Sequence, residues 1–267
     1  MKSLAELIQT MPNMGTTESG CDYRAFQQSV IDRENARVGN LTGLDCPKCR
    51  NKGIILFLRG TECVQAECSC MKTRLSMRRI EESGLAHALE ILTFESFVVE
   101  CEWQNKLKET AQRYIDSGEE KWLFLGGQPG CGKTHLCTAV VGKLLAANKS
   151  AKYMMWRNDA TRIKSLINDQ EAYSKEIDTL INVDVLYIDD FFKGRRGDQP
   201  TQADINLAFQ ILNVRYLNKK RTIISTENNT DELLSIDQGI GSRIIQMSKG
   251  FCLNIGDDQH KNFRLRN

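Results

Sequence analysis

Five short runs of the chain, 122–125, 152–156, 183–188, 222–226 and 250–255, are apolar almost throughout rather than alternating with polar positions. Runs of that kind and length predict strands covered on both faces, and the stretches between them are long enough for helices. Strands and helices in strict alternation predict one five-stranded parallel sheet with helices on both sides, an α/β fold. A helix is expected over 102–116, ahead of the first of these strands, and an amphipathic one over 135–147, directly after it. Nearer the start the pattern changes. The run 53–58 ends at Arg59-Gly60 and predicts a hairpin. Residues 1–45 are polar, with weak helical signals over 25–36, and residues 72–80 read as a basic helix that breaks at Ser83-Gly84. A boundary near residue 85 then separates a small N-terminal module, 1–85, from a larger domain, 86–267.

Composition narrows the class. Hydrophobic residues make up 41% of the chain and charged residues 26%, near globular averages, which excludes a disordered or membrane-embedded chain. No run approaches the roughly 18 apolar residues needed to cross a bilayer, and Met1-Lys2-Ser3-Leu4-Ala5-Glu6 lacks the apolar region of a signal peptide. The expectation is a cytoplasmic protein with no membrane partner. A formal net charge of +2 is too small to draw the whole molecule to nucleic acid, so any such contact must be local. Basic clusters occur at Lys72-Arg74-Arg78-Arg79, Lys193-Arg195-Arg196, Lys219-Lys220-Arg221 and Lys261-Arg264-Arg266, each of which also reads as a solvated face.

The chemistry is concentrated after the first predicted sheet strand. Gly127-Gln128-Pro129-Gly130-Cys131-Gly132-Lys133-Thr134 satisfies G-x-x-x-x-G-K-[ST] between a predicted strand and a predicted helix that opens at His135. In that setting the glycines turn backbone N–H groups toward phosphates, Lys133 reaches the β- and γ-phosphates of ATP, and the Thr134 hydroxyl ligates Mg²⁺. The strand 183–188 ends in Asp189-Asp190: Asp189 suits the metal and Asp190 the attacking water. A third strand ends at Thr226-Glu227-Asn228, where either Glu227 or Asn228 is placed to sense the γ-phosphate, or the strand simply ends. Gly241-Ser242-Arg243 reads as the start of a helix, where a cation opposes the helix dipole. Arg243 is therefore a candidate finger for a neighbouring subunit's ATP, with a surface salt bridge as the plain alternative.

Ten cysteines in a chain without a secretory signal argue for reduced thiols. Cys46-Pro47-Lys48-Cys49 and Cys68-Ser69-Cys70 flank the predicted hairpin and supply four soft ligands suited to a closed tetrahedral Zn²⁺ site, leaving Cys63 over. A segment this short lacks a core of its own, and metal binding supplies folding energy. A cluster of reduced thiols without metal is the alternative.

With these residues in view, the chain resembles the DnaC/DnaI helicase loaders and the related IstB-like ATPases of the AAA+ class, especially prophage loaders of Gram-positive type. The resemblance covers most of the chain and adds Thr93-Phe94-Glu95-Ser96-Phe97, Asp189-Asp190-Phe191-Phe192, Asn213-Val214-Arg215-Tyr216 and Gly241-Ser242-Arg243-Ile244 to the two nucleotide motifs. It implies an AAA+ P-loop core with a truncated or absent lid, since only residues 227–267 follow Thr226, behind a zinc-ribbon-like N-terminal domain. It also implies that the module 1–85 grips a hexameric DnaB-type replicative helicase, and that the insertion between Arg157 and Asn182 touches single-stranded DNA, with Arg162 and Lys164 as candidates. Arg243 would reach the ATP of the adjacent subunit through self-association, and Arg264 is the candidate second sensor. The implied activity is ATP-dependent helicase loading. A transposase-helper ATPase and a nucleotide-gated adaptor with negligible turnover are the rival readings.

Overall fold

The computed structural model describes residues 20–82, 86–117, 121–147, 149–194, 199–256 and 258–265. The predicted break at Ser83-Gly84, and Arg195, Arg196 and Arg266 of the basic clusters, lie outside them. The chain divides into two compact units, Met1–Cys68 and Ser69–Asn267.

The first unit carries α1 (Gly20–Ala36) and an antiparallel hairpin of β1 (Ile54–Arg59) and β2 (Glu62–Glu67), in register from Ile54 opposite Glu67 to Arg59 opposite Glu62. The two-residue connection Gly60-Thr61 takes the positive φ a tight hairpin needs at Gly60 (φ 68). Asn35 joins helix to hairpin: its amide donates to Leu56 O at 2.8 Å, and its Oδ1 accepts from Leu56 N–H at 3.1 Å. One asparagine thereby satisfies both backbone groups of a residue on the strand.

In the second unit, α2 (Cys70–Glu82), α3 (Ala86–Ile91) and α4 (Glu102–Asp116) precede β3 (Trp122–Gly127), α5 (Lys133–Ala146), β4 (Ala151–Met155), α6 (Trp156–Ser165), α7 (Gln170–Asn182), β5 (Val185–Asp189), α8 (Gln202–Leu217) and β6 (Arg221–Thr226). After them come α9 (Thr230–Ile236), α10 (Gln238–Met247), β7 (Cys252–Ile255) and two 3₁₀ turns, Gln259–Lys261 and Phe263–Leu265. The sheet is parallel throughout, in the order β4-β5-β6-β3-β7. The central strands β3, β5 and β6 are buried at every position. Alternate side chains still go to opposite faces. Leu123, Leu125, Val185, Tyr187 and Ile223 meet the α4 and α5 side, while Trp122, Phe124, Leu186, Ile188 and Ile224 meet the α6, α7, α8 and α10 side.

All five predicted sheet strands form, with ends shifted by a residue or two, as at β5, which starts at Val185 rather than Val183 and includes Asp189. Trp156 opens α6 instead of ending β4, because its ring packs edge-on against Phe191 and Phe192 beyond the sheet. Gly250, at φ 91, turns the chain before β7 instead of joining it. The basic helix expected in the N-terminal module packs against β4, so the compact units part between Cys68 and Ser69 rather than near residue 85. After β6 the described residues form α9, α10, β7 and the two 3₁₀ turns.

Arg215 is the main buried polar device of the core. Fully buried in α8, it donates to the carbonyls of Leu180 (2.8 Å), Ile181 (3.2 Å), Val183 (3.0 Å) and Arg221, and to Thr222 Oγ1 (2.9 Å). A guanidinium has five donors and tolerates burial only when they are used. Here they gather the end of α7 and the starts of β5 and β6, which fixes the strands whose far ends carry the site.

Candidate nucleotide site and cysteine cluster

The site is built where β3, β5 and β6 end. β3 runs into the loop Gly127–Gly132, and α5 begins at Lys133. Two glycines there have no substitute. At Gly127 (φ 121) a Cβ would lie 2.0 Å from Ile255 O, and at Gly132 (φ 91) it would strike the Phe97 ring at 2.8 Å. The Lys133 ammonium is buried and donates to Gly127 O (2.6 Å) and Gln128 O (2.7 Å), in the bend of the loop. The loop, the ends of β5 and β6, and the second 3₁₀ turn surround a cavity of about 490 Å³, lined among others by Lys133, Thr134, Asp189, Asp190, Glu227 and Arg264.

Asp189 is buried at the end of β5. It accepts hydroxyl hydrogen bonds from Thr134 (3.2 Å), Tyr153 (3.2 Å) and Ser225. Burial and then the Asp189 charge push the Tyr153 phenol well above its ordinary range, so it stays protonated and serves as a donor. Asp190 follows at φ 51, its carboxylate against the Lys193 ammonium at 3.2 and 3.3 Å. Lys193 also meets Glu227 at 2.9 Å. Burial pulls the Lys193 pKa down, but the bond to Glu227 and the charge of Asp190 outweigh it, and the net direction is up.

Of the two residues proposed to sense the γ-phosphate, Glu227 lines the cavity and Asn228 does not; the Asn228 amide turns back to Thr226 Oγ1 at 3.3 Å. Cys131 is buried beneath the loop, with its thiol donating to Gln128 O at 3.0 Å. His135 lies on the cavity wall with Nε2 2.8 Å from Thr93 O and 3.1 Å from Ser96 Oγ, its ring edge-on to Phe97, so it also anchors the segment 93–97 to the start of α5. Pro129 and Gly130 also line the cavity. The Gln128 amide exchanges two hydrogen bonds with the backbone of Asp258, and Phe263 N–H donates to Gly130 O at 3.0 Å. Those bonds dock the C-terminal turns on the loop and bring Arg264 to the cavity.

Three candidates lie elsewhere. Arg243 stands mid-helix rather than at a helix start: α10 begins at Gln238, capped by Asp237, whose side chain accepts from Ile240 N–H at 2.7 Å. The dipole argument for Arg243 therefore fails. Its guanidinium stacks over Phe209 (5.0 Å) and Tyr216 (5.5 Å) and donates to Gly239 O at 2.8 Å, and it is not among the residues lining its own chain's cavity. Arg162 is ion-paired with Asp159 (3.3 Å) and Glu176 (3.1 Å), and Lys164 with Asp204 (2.5 Å). The sequence places Lys193 only in a basic cluster and gives no site role to Tyr153 or Ser225; the three come from other strands and turns and belong to no nucleotide motif.

The four thiols expected to bind metal do come together. Cys46, Cys49, Cys68 and Cys70 are buried, and their sulfurs all lie within 4.8 Å of one another. Cys46 and Cys68 sulfurs are 3.9 Å apart, close to the roughly 3.8 Å edge of a tetrahedron with metal–sulfur bonds of about 2.3 Å. Backbone supports the arrangement: Gly53 N–H donates to Cys49 Sγ at 3.3 Å, and the Asn51 side chain accepts from Cys46 N–H at 2.9 Å. Cys63 sits opposite Leu58 in the hairpin and is outside the cluster. Four buried sulfurs with no other ligand type suit a closed, structural Zn²⁺ site.

Comparison with known proteins places this geometry. The model of the bacterial DnaA ATPase domain matches residues 90–251, more than half of the chain. The chain belongs to that family and is DnaC-like. It is 31% identical to the phage-like element PBSX protein XkdC of Bacillus subtilis, covering 83% of this chain and 86% of that protein. It is 28% identical to the replicative helicase loader DnaC of Escherichia coli K12 over 63% of this chain and 67% of that one. Among solved structures, the DnaC helicase loader (TM-score 0.50, 23% identity, 62% of this chain and 96% of that one) shares the fold. So does AMPPCP-bound DnaA of Aquifex aeolicus (TM-score 0.51, 20% identity, 64% of this chain). The chain spans about half the length of that DnaA. The family is that of AAA+ ATPases, and the relatives named for a role act in DNA replication. No helix among the described residues is long and apolar enough to cross a membrane.

Proposed function

We propose that this protein is an ATP-dependent loader that places a hexameric DnaB-type replicative helicase on single-stranded DNA. One observation carries the reading: in a DnaC-like chain, Lys133, Thr134, Asp189 and Asp190 line a single cavity, with Thr134 bonded to Asp189 across it. The residues fit Mg²⁺-ATP. Lys133 and the N–H groups at the start of α5 hold the β- and γ-phosphates, while Thr134 and Asp189 hold the ion. The ion supplies charge neutralisation at the phosphates. Asp190 orients the attacking water and accepts its proton, Glu227 lines the cavity just past β6 without a donor of its own, and Arg264 adds a cation from the C-terminal side.

Arg243, stacked away from its own cavity, acts on the ATP of an adjacent subunit, so hydrolysis depends on assembly. Arg162 and Lys164 are the proposed DNA contacts, each exchanging a carboxylate for a phosphate. The segment 1–85 grips the helicase, and within it Cys46, Cys49, Cys68 and Cys70 would hold a structural Zn²⁺. ATP binding builds the assembly, and hydrolysis releases it. Because Asp190 is ion-paired to Lys193, the adaptor reading, in which ATP binding alone is the signal, stays the rival.

The test mixes purified protein with a purified DnaB-type hexamer from a Gram-positive host, with and without Mg²⁺-ATP, and measures complex mass by light scattering. ATP-dependent complex formation that fails with Lys133→Ala supports the loader. A complex that never forms removes it.

A further inference from the structure

Lys193 belongs to no nucleotide motif, yet its Nζ lies 2.9 Å from Glu227 and 3.2 and 3.3 Å from the two Asp190 oxygens. All three residues line the cavity that holds Lys133, Thr134 and Asp189. The backbone builds this placement. Asp190 and Phe192 both adopt positive φ, 51 and 58, a region that strains a non-glycine residue and persists only when the surroundings enforce it. Here Phe191 N–H donates to Ser225 O (2.9 Å), the Thr226 hydroxyl to Phe191 O (2.6 Å) and Lys193 N–H to Asp190 O (2.9 Å). The Phe191 and Phe192 rings stack at 4.0 Å, with Trp156 edge-on to both. A turn anchored at this many points sends Lys193 back over the site, which a surface lysine meeting its nearest acid does not require.

The charges show what the cation is for. Asp189, Asp190 and Glu227 bring three carboxylates to the lining of the cavity, the last two joined through Lys193. A nucleoside triphosphate brings to the cavity a terminal phosphate that the diphosphate lacks, and its charge is repelled by Asp190 and Glu227. A group that reads this phosphate must donate, and the Glu227 carboxylate only accepts. Lys193 carries three donors and a fixed positive charge at the same point, so it can hold both carboxylates and still turn one N–H to a phosphate oxygen.

We propose that Lys193 is the residue through which this pocket distinguishes a nucleoside triphosphate from the diphosphate, by contacting the terminal phosphate and screening it from Asp190 and Glu227. The proposal rests on the nucleotide reading of the cavity given above.

The experiment is equilibrium binding of Mg²⁺-ATP and Mg²⁺-ADP to the full chain. Lys193→Met should weaken ATP about tenfold, the worth of one charge-assisted hydrogen bond, and change ADP by less than about twofold. Removing the carboxylate that Lys193 screens should undo the effect, so Lys193→Met with Glu227→Gln should recover most of the ATP affinity. Lys193→Arg, which keeps the charge, should keep the preference. Equal losses for both nucleotides, or a double variant no better than Lys193→Met, would overturn the assignment. A wild-type chain that binds neither nucleotide overturns the reading of the cavity itself, whereas one that binds both, with an unchanged preference in Lys193→Met, overturns Lys193 alone.

Discussion

Asp189 and Asp190 are chemically alike and one residue apart, but the fold gives them different surroundings. Asp189 is buried among three hydroxyl donors, and Asp190 is half-exposed beside an ammonium. Asp189→Asn should weaken Mg²⁺-dependent ATP binding, while Asp190→Asn should retain binding and lose turnover by about 10² or more; titration with fluorescent ATP and steady-state phosphate release separate the two. Normal hydrolysis by both variants would contradict the assignment. These two aspartates and Lys133 are legible in the sequence because their spacing is local and their chemistry needs that spacing. Tyr153, Ser225 and Lys193 are not, since nothing in a sequence shows that a tyrosine on β4 and a serine on β6 will meet at the end of β5. Arg243 shows the reverse: a helix start was expected two residues before it, but Asp237 starts the helix earlier by capping Ile240.

Continuous apolar runs mark the five sheet strands, but not their order in the sheet. What joins the strands is not legible either. Arg215 stands in an ordinary helical pattern, yet its five hydrogen bonds hold α7, β5 and β6 together. Arg215→Met keeps the volume and leaves those carbonyls without donors, so chemical denaturation should show a loss of about 3 kcal/mol or more. A loss below about 1 kcal/mol would mean water takes the place of the guanidinium. Asp184 works at the same edge, accepting from Ser150 N–H at 2.9 Å and Ser150 Oγ at 2.6 Å. Burial raises the Asp184 pKa, but the two Ser150 bonds outweigh it and the net direction is down. A carboxyl held low in the folded state stabilises at pH above its unfolded value of about 3.9, and that contribution disappears as pH falls through the lower folded value. Asp184→Asn should therefore be less stable than the wild type at pH 7, with the gap closing below about pH 4.

On the scale of the molecule, sequence placed the division near residue 85, whereas the compact units part at Cys68 and Ser69 because α2 packs on β4. Composition alone does not tell a basic helix of an appendage from one that covers a sheet edge. The cysteine cluster was legible, because four thiolates in two close pairs around a hairpin have few other uses. Cys49→Ser should lose about one zinc per chain by elemental analysis while Cys63→Ser keeps it, and ATP affinity should survive in both. Stoichiometric zinc in Cys49→Ser would contradict the ligand set. The central claim is that ATP held between Lys133 and Asp189 drives the placement of a helicase ring on DNA. It is tested most directly by incubating a purified DnaB-type hexamer with circular single-stranded DNA and counting the rings retained on the circles after gel filtration. The account predicts many more rings per circle with this protein and Mg²⁺-ATP than without it, and no gain with Lys133→Ala. An equal number of rings with and without the protein would contradict it.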